Sequence, residues 1–202
     1  MRGRLLVEPC RCCHGQARGA WFSRAHGFNL VELLAAISIA AIMAAIGVPS
    51  FRFVTVSNRM SSEVNLLLGD MQFARGEAIK RGLPVTACIS TDGASCVTSG
   101  TNWSGGWILF VDTNSNATVD AGEPVIRVQK GFGNSDSFVA DSNLRAVIFN
   151  REGFATSLAG TATIALHDST NNTAYTRCLA VNRVGLLLTQ RYNQTFGTQT
   201  CT

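Results

Sequence analysis

Gly27-Phe28-Asn29-Leu30-Val31-Glu32-Leu33 opens an apolar run that closes at Pro49. The nineteen residues from Leu30 to Val48 hold one charge, Glu32, and one other polar side chain, Ser38. At about 1.5 Å per residue such a helix nearly spans a hydrocarbon core about 30 Å thick. A carboxylate there costs about 2.5–3.5 kcal/mol at mid-membrane on insertion scales, so it marks a functional position and needs a partner. The flanks add direction. Arg2, Arg4, Arg11, Arg18 and Arg24 precede Gly27 against Glu8 alone, and no Lys or Arg follows until Arg52. The positive-inside tendency puts the N-terminus in the cytoplasm and the remainder across the membrane.

Beyond Pro49 the helical pattern continues. Met60, Val64, Leu67, Met71, Ala74 and Ala78 alternate spacings of four and three, a heptad seam. Asn58, Arg59, Ser62, Glu63, Asn65, Asp70, Gln72 and Arg75 read as its polar face. Pro49 inside this pattern predicts a kink or local unwinding, and Gly82-Leu83-Pro84 ends the helix. From Val85 the period changes to short apolar, β-branched runs: Val85–Ile89, Trp107–Val111, Pro124–Val128, Ala146–Phe149, Ala162–Leu166, Arg177–Val181 and Leu186–Thr189. Helix first and strands after is an α+β layout, with the seam laid on an antiparallel β head.

Three readings compete for the N-terminal segment. A cleaved secretory signal would use Ala44-Ala45-Ile46-Gly47 as its cut site, but Glu32 inside the apolar region argues against it. A plain signal anchor explains the hydrophobicity and not the Glu. The third reading rests on resemblance: a basic leader ending in Gly27, then Phe28, an apolar helix with Glu32 at the fifth position after the cut, and Pro49. These features resemble type IV prepilins. Downstream, Gly106-Trp107-Ile108-Leu109-Phe110-Val111-Asp112 with Asn114, Asn116, Asp120, Gly122 and Glu123, and later Phe149-Asn150-Arg151-Glu152-Gly153, are similar to the FimT/GspH group of minor pilins and pseudopilins.

The resemblance implies a pilin fold in four parts. Residues 1–27 would be a leader, 28–50 a transmembrane and assembly helix, 51–82 its amphipathic continuation, and 83–202 a β-rich periplasmic head. It implies cleavage after Gly27 by a prepilin peptidase, methylation of the new Phe28 amine, and neutralisation of Glu32 by the ammonium of a neighbouring subunit. Its partners would be major and minor pilins packed through the helix, and its place the inner membrane, single-pass, and then a pilus. The alternative is a minor pseudopilin of type II secretion, which shares motif and fold. A membrane-anchored periplasmic enzyme is the rival class. The mature chain has one His, His167, and no Gly-x-Ser-x-Gly elbow or convergent polar set, so no catalysis and no cofactor are expected.

Charge and cysteines sharpen this. Of the 17 basic and 13 acidic residues, five and one lie in the leader, leaving twelve of each, so the net +4 says nothing about nucleic acid. Cys10, Cys12, Cys13 and His14 lie in the leader and lack the separated pairs of a structural zinc site. Cys88, Cys96, Cys178 and Cys201 remain, an even number in an extracytoplasmic domain, which predicts two disulfides. Of three connectivities, proximity in sequence favours Cys88–Cys96 and Cys178–Cys201.

Two further stretches invite a ligand. Asp112, Asn114, Asn116, Thr118, Asp120 and Glu123 have the 1, 3, 5, 7, 9, 12 spacing of a calcium loop. Ala117 stands where such loops need Gly, and the flanks read as strands. A hairpin loop whose Asp and Asn side chains bond their own backbone is therefore the favoured reading. From Ser169 to Thr202 there are three Arg (Arg177, Arg183, Arg191) and no acid, with Tyr175, Tyr192 and Phe196 interleaved. Such a patch can grip a phosphate backbone. Some FimT-type pilins bind DNA through Gly-Arg-x-Arg. The corresponding Asn182-Arg183-Val184-Gly185 keeps one Arg of the two, which leaves DNA as a salt-sensitive candidate partner.

Overall fold

The helix periodicity of residues 30–81 becomes one element. In the computed structural model, which describes residues 27, 29–133, 136–141 and 143–202, α1 runs Leu30–Arg81. Glu32 sits in its first turn and Lys80 and Arg81 in its last, where each complements the backbone dipole. α1 continues through Pro49 without the unwinding that the sequence predicts there. Proline removes one backbone donor, and the helix runs across that single lost bond although Gly47, Val48, Ser50 and Phe51 around it are weak helix formers. The chain falls into two units, one ending at Ala45 and one from Ile46 to Thr202, and the second holds the whole β head.

Among the described residues ten strands follow. They are β1 (Val85–Ile89), β2 (Gly106–Val111), β3 (Val125–Lys130), β4 (Ser137–Ala140), β5 (Ala146–Phe149), β6 (Thr161–His167), β7 (Arg177–Asn182), β8 (Leu187–Arg191), β9 (Thr195–Phe196) and β10 (Gln199–Thr200). They form two four-stranded antiparallel sheets, ordered β3-β2-β1-β5 and β4-β6-β7-β8, and a small β9–β10 ribbon. All seven strands read from the sequence are present. β4, β9 and β10 were not legible, because two to four residues flanked by Ser, Asp or Thr carry too little alternation to register a period.

One core unites helix and sheets. Met60, Val64, Leu67, Met71, Ala74 and Ala78 are buried against inward residues of both sheets, including Val85, Ala87, Trp107, Leu109, Phe149, Ile164 and Leu179. A second, smaller core lies on the other side of the first sheet, where Ile108, Phe110, Cys88 and Ala146 pack under Ala117, Val119 and Val125.

The polar face read from the sequence needs correction. Glu63 and Asp70 are buried, Asp70 to 2 % exposure. Asp70 accepts the indole N–H of Trp107 at 2.9 Å and pairs with Arg127, whose guanidinium lies 4.4 Å over the Phe73 ring. Arg59 pairs with buried Asp136 at 2.8 Å, and the Arg75 guanidinium donates to the Gly153 carbonyl at 2.9 Å. The helix therefore meets the head through a stripe wider than a coiled-coil seam, with acids flanking the apolar rows. Removing Asp70 strands the buried Trp107 donor as well as breaking an ion pair. Asp70→Ala should destabilise the protein by about 2–3 kcal/mol. Asp70→Asn, which keeps an acceptor for the indole, should cost clearly less. Denaturant unfolding of the two variants in detergent checks the order, and equal losses would contradict it.

Candidate functional site

Three places collect the residues that the sequence singles out. The first is the stem. Glu32 lies in the first turn of α1 on an exposed surface, Gly27 is exposed just ahead of it, and Phe28 lies outside the described residues. So do Cys10, Cys12, Cys13, His14 and His26. From Leu30 to Thr55 every described residue is exposed, and the large apolar ones reach 73 % at Phe51. α1 is the one helix among the described residues long and apolar enough to cross a membrane. Among the described residues nothing covers this apolar surface.

The second place is the loop from Asp112 to Glu123, between β2 and β3. Asp112 is fully buried. Its carboxylate accepts from the Thr86 hydroxyl at 2.7 Å and from the backbone N–H groups of Asn116 and Ala117 at 3.0 and 2.9 Å. Asp120 accepts from the side-chain amides of Asn114 and Asn116, both at 2.8 Å. Glu123 accepts from Thr113, backbone and hydroxyl, and from the Asp120 N–H. The amides of Asn114 and Asn116 hold the Asp120 carboxyl below its usual range. For Glu123, burial pushes the carboxyl up, and the donors of Asp120 and Thr113 outweigh it and bring it below the ordinary 4.5. The loop's acids thus serve its own donors. Ala117 takes a left-handed φ of 56°, which lets its methyl cap Ile108 and Phe110 where a glycine would leave a gap. The loop is the lid of the second core.

The third place is the arginine set, which the fold splits. Arg183 is exposed at the turn of the β7–β8 hairpin, while Arg177 and Arg191 face each other across its far end. Arg183 lies roughly 20 Å from Arg177 along the strand. Gly185, at the position of the second Arg of the resembled element, has φ 77°, and a Cβ there would meet the Gly153 carbonyl oxygen at 2.1 Å. An arginine does not fit this backbone, so the departure is structural.

Arg177 is 8 % exposed, and its guanidinium is held by neutral oxygens. It donates to Ser57 Oγ at 2.9 Å, Ser61 Oγ at 3.4 Å and the carbonyls of Ala174 and Thr176 at 3.2 and 2.9 Å. Burial, and then the charge of Arg191, push its pKa below the ordinary arginine value. None of the ion pairs among the described residues involves Arg177 or Arg191.

Both disulfides join the pairs favoured by sequence proximity. Cys88–Cys96 closes the loop after β1, and Cys178–Cys201 ties the tail to β7. Each contributes about 3 kcal/mol by restricting the unfolded chain.

Comparison with known proteins adds the following. A family profile described as type II transport protein GspH matches residues 63–185. Two crystal structures of the type IV minor pilin FimU of Pseudomonas aeruginosa share the fold. One, at 19 % identity and a TM-score of 0.54, covers 72 % of this chain and 96 % of the other. The second, at 18 % and 0.52, covers 70 % and 99 %. No curated protein matches the chain.

Two outcomes follow from the geometry. Gly185→Ala should destabilise the protein by roughly 2–4 kcal/mol, from left-handed strain and the clash with Gly153, read as a lowered unfolding midpoint. Depressed carboxyl groups stabilise above their unfolded pKa and lose that contribution as pH falls through the folded value. The Thr113 amide resonance, which reports the Glu123 bond, should therefore hold steady at neutral pH and move with a midpoint below 4.5. A midpoint above that value contradicts the bonding pattern.

Proposed function

The chain belongs to the GspH family, and we propose that within it this protein works as a minor pilin, a structural subunit of a type IV pilus. The reading is carried by one observation: a stem with Glu32 in its first turn and a long apolar surface that nothing in the described chain covers. A plain anchor needs no acid. A subunit that packs stem against stem does, because the carboxylate then finds a cation in a medium where an unpaired charge is costly. The cation is the amine of Phe28 in a neighbouring subunit, freed by a prepilin peptidase that cuts after Gly27. Pairing fixes the axial register between helices more than it adds stability. Before assembly the protein rests in the inner membrane with its head in the periplasm.

The family description favours a second reading, the same subunit in the pseudopilus of type II secretion. The stem chemistry is common to both. Deleting the protein separates them: loss of surface pili supports the first, and loss of protein export with pili intact supports the second.

The test of the stem is Glu32→Ala. Incorporation into fibres should fall by about 100-fold or more, the equivalent of about 3 kcal/mol for a charge left unpaired in the packed stem. Head unfolding should be unchanged. Mass spectrometry of the purified protein should show a chain beginning at a methylated Phe28. Normal incorporation of the variant, or an intact leader in the fibre, contradicts the proposal.

A further inference from the structure

The two large sheets end in the strands β3, β5, β4 and β8, and three of these edges are blunted. Beside β5, the Thr156 N–H donates to the Ile148 carbonyl at 2.9 Å and the Ile148 N–H to Ser157 Oγ at 3.1 Å. Beside β4, the Ala140 N–H donates to the Thr101 carbonyl at 2.8 Å, and Asn102 bridges Val139. β3 has a bulge where it meets β2 and carries Arg127 and Lys130. A covering segment, a bulge or a cation each keeps a sheet edge from pairing further. β8 has none of these over Leu187–Gln190. Its register with β7 runs without a shift, and that stretch holds no charge and no proline.

The hairpin sets which main-chain groups are free. The Asn182 N–H donates to the Leu186 carbonyl at 3.1 Å. Alternation then turns the main-chain groups of Leu188 and Gln190 toward β7 and those of Leu187, Thr189 and Arg191 away from it. Gln194 closes off Arg191: its side chain accepts the Arg191 N–H at 2.7 Å, and its N–H donates to the Arg191 carbonyl at 3.0 Å. Among the described residues nothing bonds the outward N–H or C=O of Leu187 or Thr189. Two rows of side chains flank this edge. On the outer face Leu186 and Leu188 are half exposed. On the core-side face Thr189 and Arg191 line a groove of about 230 Å³ with Ser61 and Asn65 of α1.

Charge decides what fits there. From Ser169 to Thr202 the chain has Arg177, Arg183 and Arg191 and no acid, and none of the ion pairs among the described residues involves them. The acids of the head are committed elsewhere. Asp70, Glu77, Asp136 and Glu152 hold cations of the head itself, and the acids of the β2–β3 loop serve that loop's own donors. A second copy would bring the same arginines to the same edge, and like charges side by side on paired strands are destabilising. The complementary occupant is acidic and comes from a different chain.

We propose that β8 is a docking edge for an extended segment of another protein, one in which acidic and apolar residues alternate. The segment adds as a strand beside β8, with its main chain bonded to Leu187 and Thr189. Its carboxylates lie on the core-side face with Arg191, and its apolar side chains lie beside Leu186 and Leu188. This contact belongs to the head and goes beyond the stem packing proposed above, since it uses no residue of the apolar segment.

The test uses the full chain in mild detergent and a synthetic peptide alternating Val and Glu. In the free protein the Leu187 and Thr189 amides should exchange with solvent at least tenfold faster than those of Leu188 and Gln190. Millimolar peptide should slow the two fast amides at least tenfold. The same peptide N-methylated at its Glu residues, whose N–H groups face β8 in the paired strand, should not protect them, and neither should a peptide with Lys in place of Glu. Arg191→Gln, a change at an exposed side chain, should weaken peptide binding at least fivefold without lowering the unfolding midpoint. Slow exchange of both amides in the free protein overturns the inference, because the edge is then already covered. So does exchange that the Val–Glu peptide leaves unchanged. Equal protection by the N-methylated peptide or by the Lys peptide overturns it too, as strand pairing or charge is then not what binds. A thymidine oligonucleotide that binds this edge more tightly than the peptide, or a dimer of the chain formed through β8, overturns it in favour of nucleic acid or a second copy.

Discussion

The burial of the α1 seam holds the head together. Met60, Val64, Leu67, Met71, Ala74 and Ala78 belong to the same cluster as the inward residues of both sheets. Apolar burial supplies most of the driving force for that contact, but it is non-directional. Direction comes from the polar groups beside it. Asp70 takes the Trp107 indole and Arg127, Arg59 reaches Asp136, and Arg75 reaches the Gly153 carbonyl. Each joins the helix to a different part of the β region, so the helix cannot slide or rotate without stranding a buried group.

The same helix has two kinds of apolar surface. Over Leu30–Thr55 its apolar side chains are exposed, and from Met60 to Ala78 those of the seam are covered. A folded head on an uncovered stem is complete as a domain and incomplete as a molecule. That is the physical content of the pilin reading, and it separates the assembly role proposed for Glu32 from head stability at Asp70. The two disulfides stabilise the head by closing the chain outside its single helix.

The polar motifs show how often a ligand-like pattern serves the fold. The alternate Asp and Asn of residues 112–123 are oxygen ligands by spacing, yet in the structure they satisfy the loop's own backbone while Ala117 and Val119 cover Ile108 and Phe110. The three C-terminal arginines, adjacent in sequence terms, end at opposite ends of a hairpin. Only Arg177 and Arg191 meet, and the feature that joins them, cross-strand pairing, has no trace in linear spacing.

The chain's order along its length was written in the residues themselves. The apolar segment with its single acid, the four-and-three seam, the seven main strands and the disulfide partners are all short-range patterns, set by 3.6-residue and two-residue periods or by proximity of cysteines. The buried acids had a faint signal as well: Glu63, Asp70 and Glu77 recur every seven residues beside the seam, which a solvent-facing set need not do. Glu77 pairs locally with Lys80 and Arg81, but Asp70 pairs with Arg127 and Arg59 with Asp136, far along the chain, and no local rule names those partners. Tertiary structure alone decided which charges were buried, which loop became a lid, and why residue 185 must lack a side chain. Those outcomes depend on what two distant segments bring to within a few ångströms of each other, and periodicity carries no information about that distance.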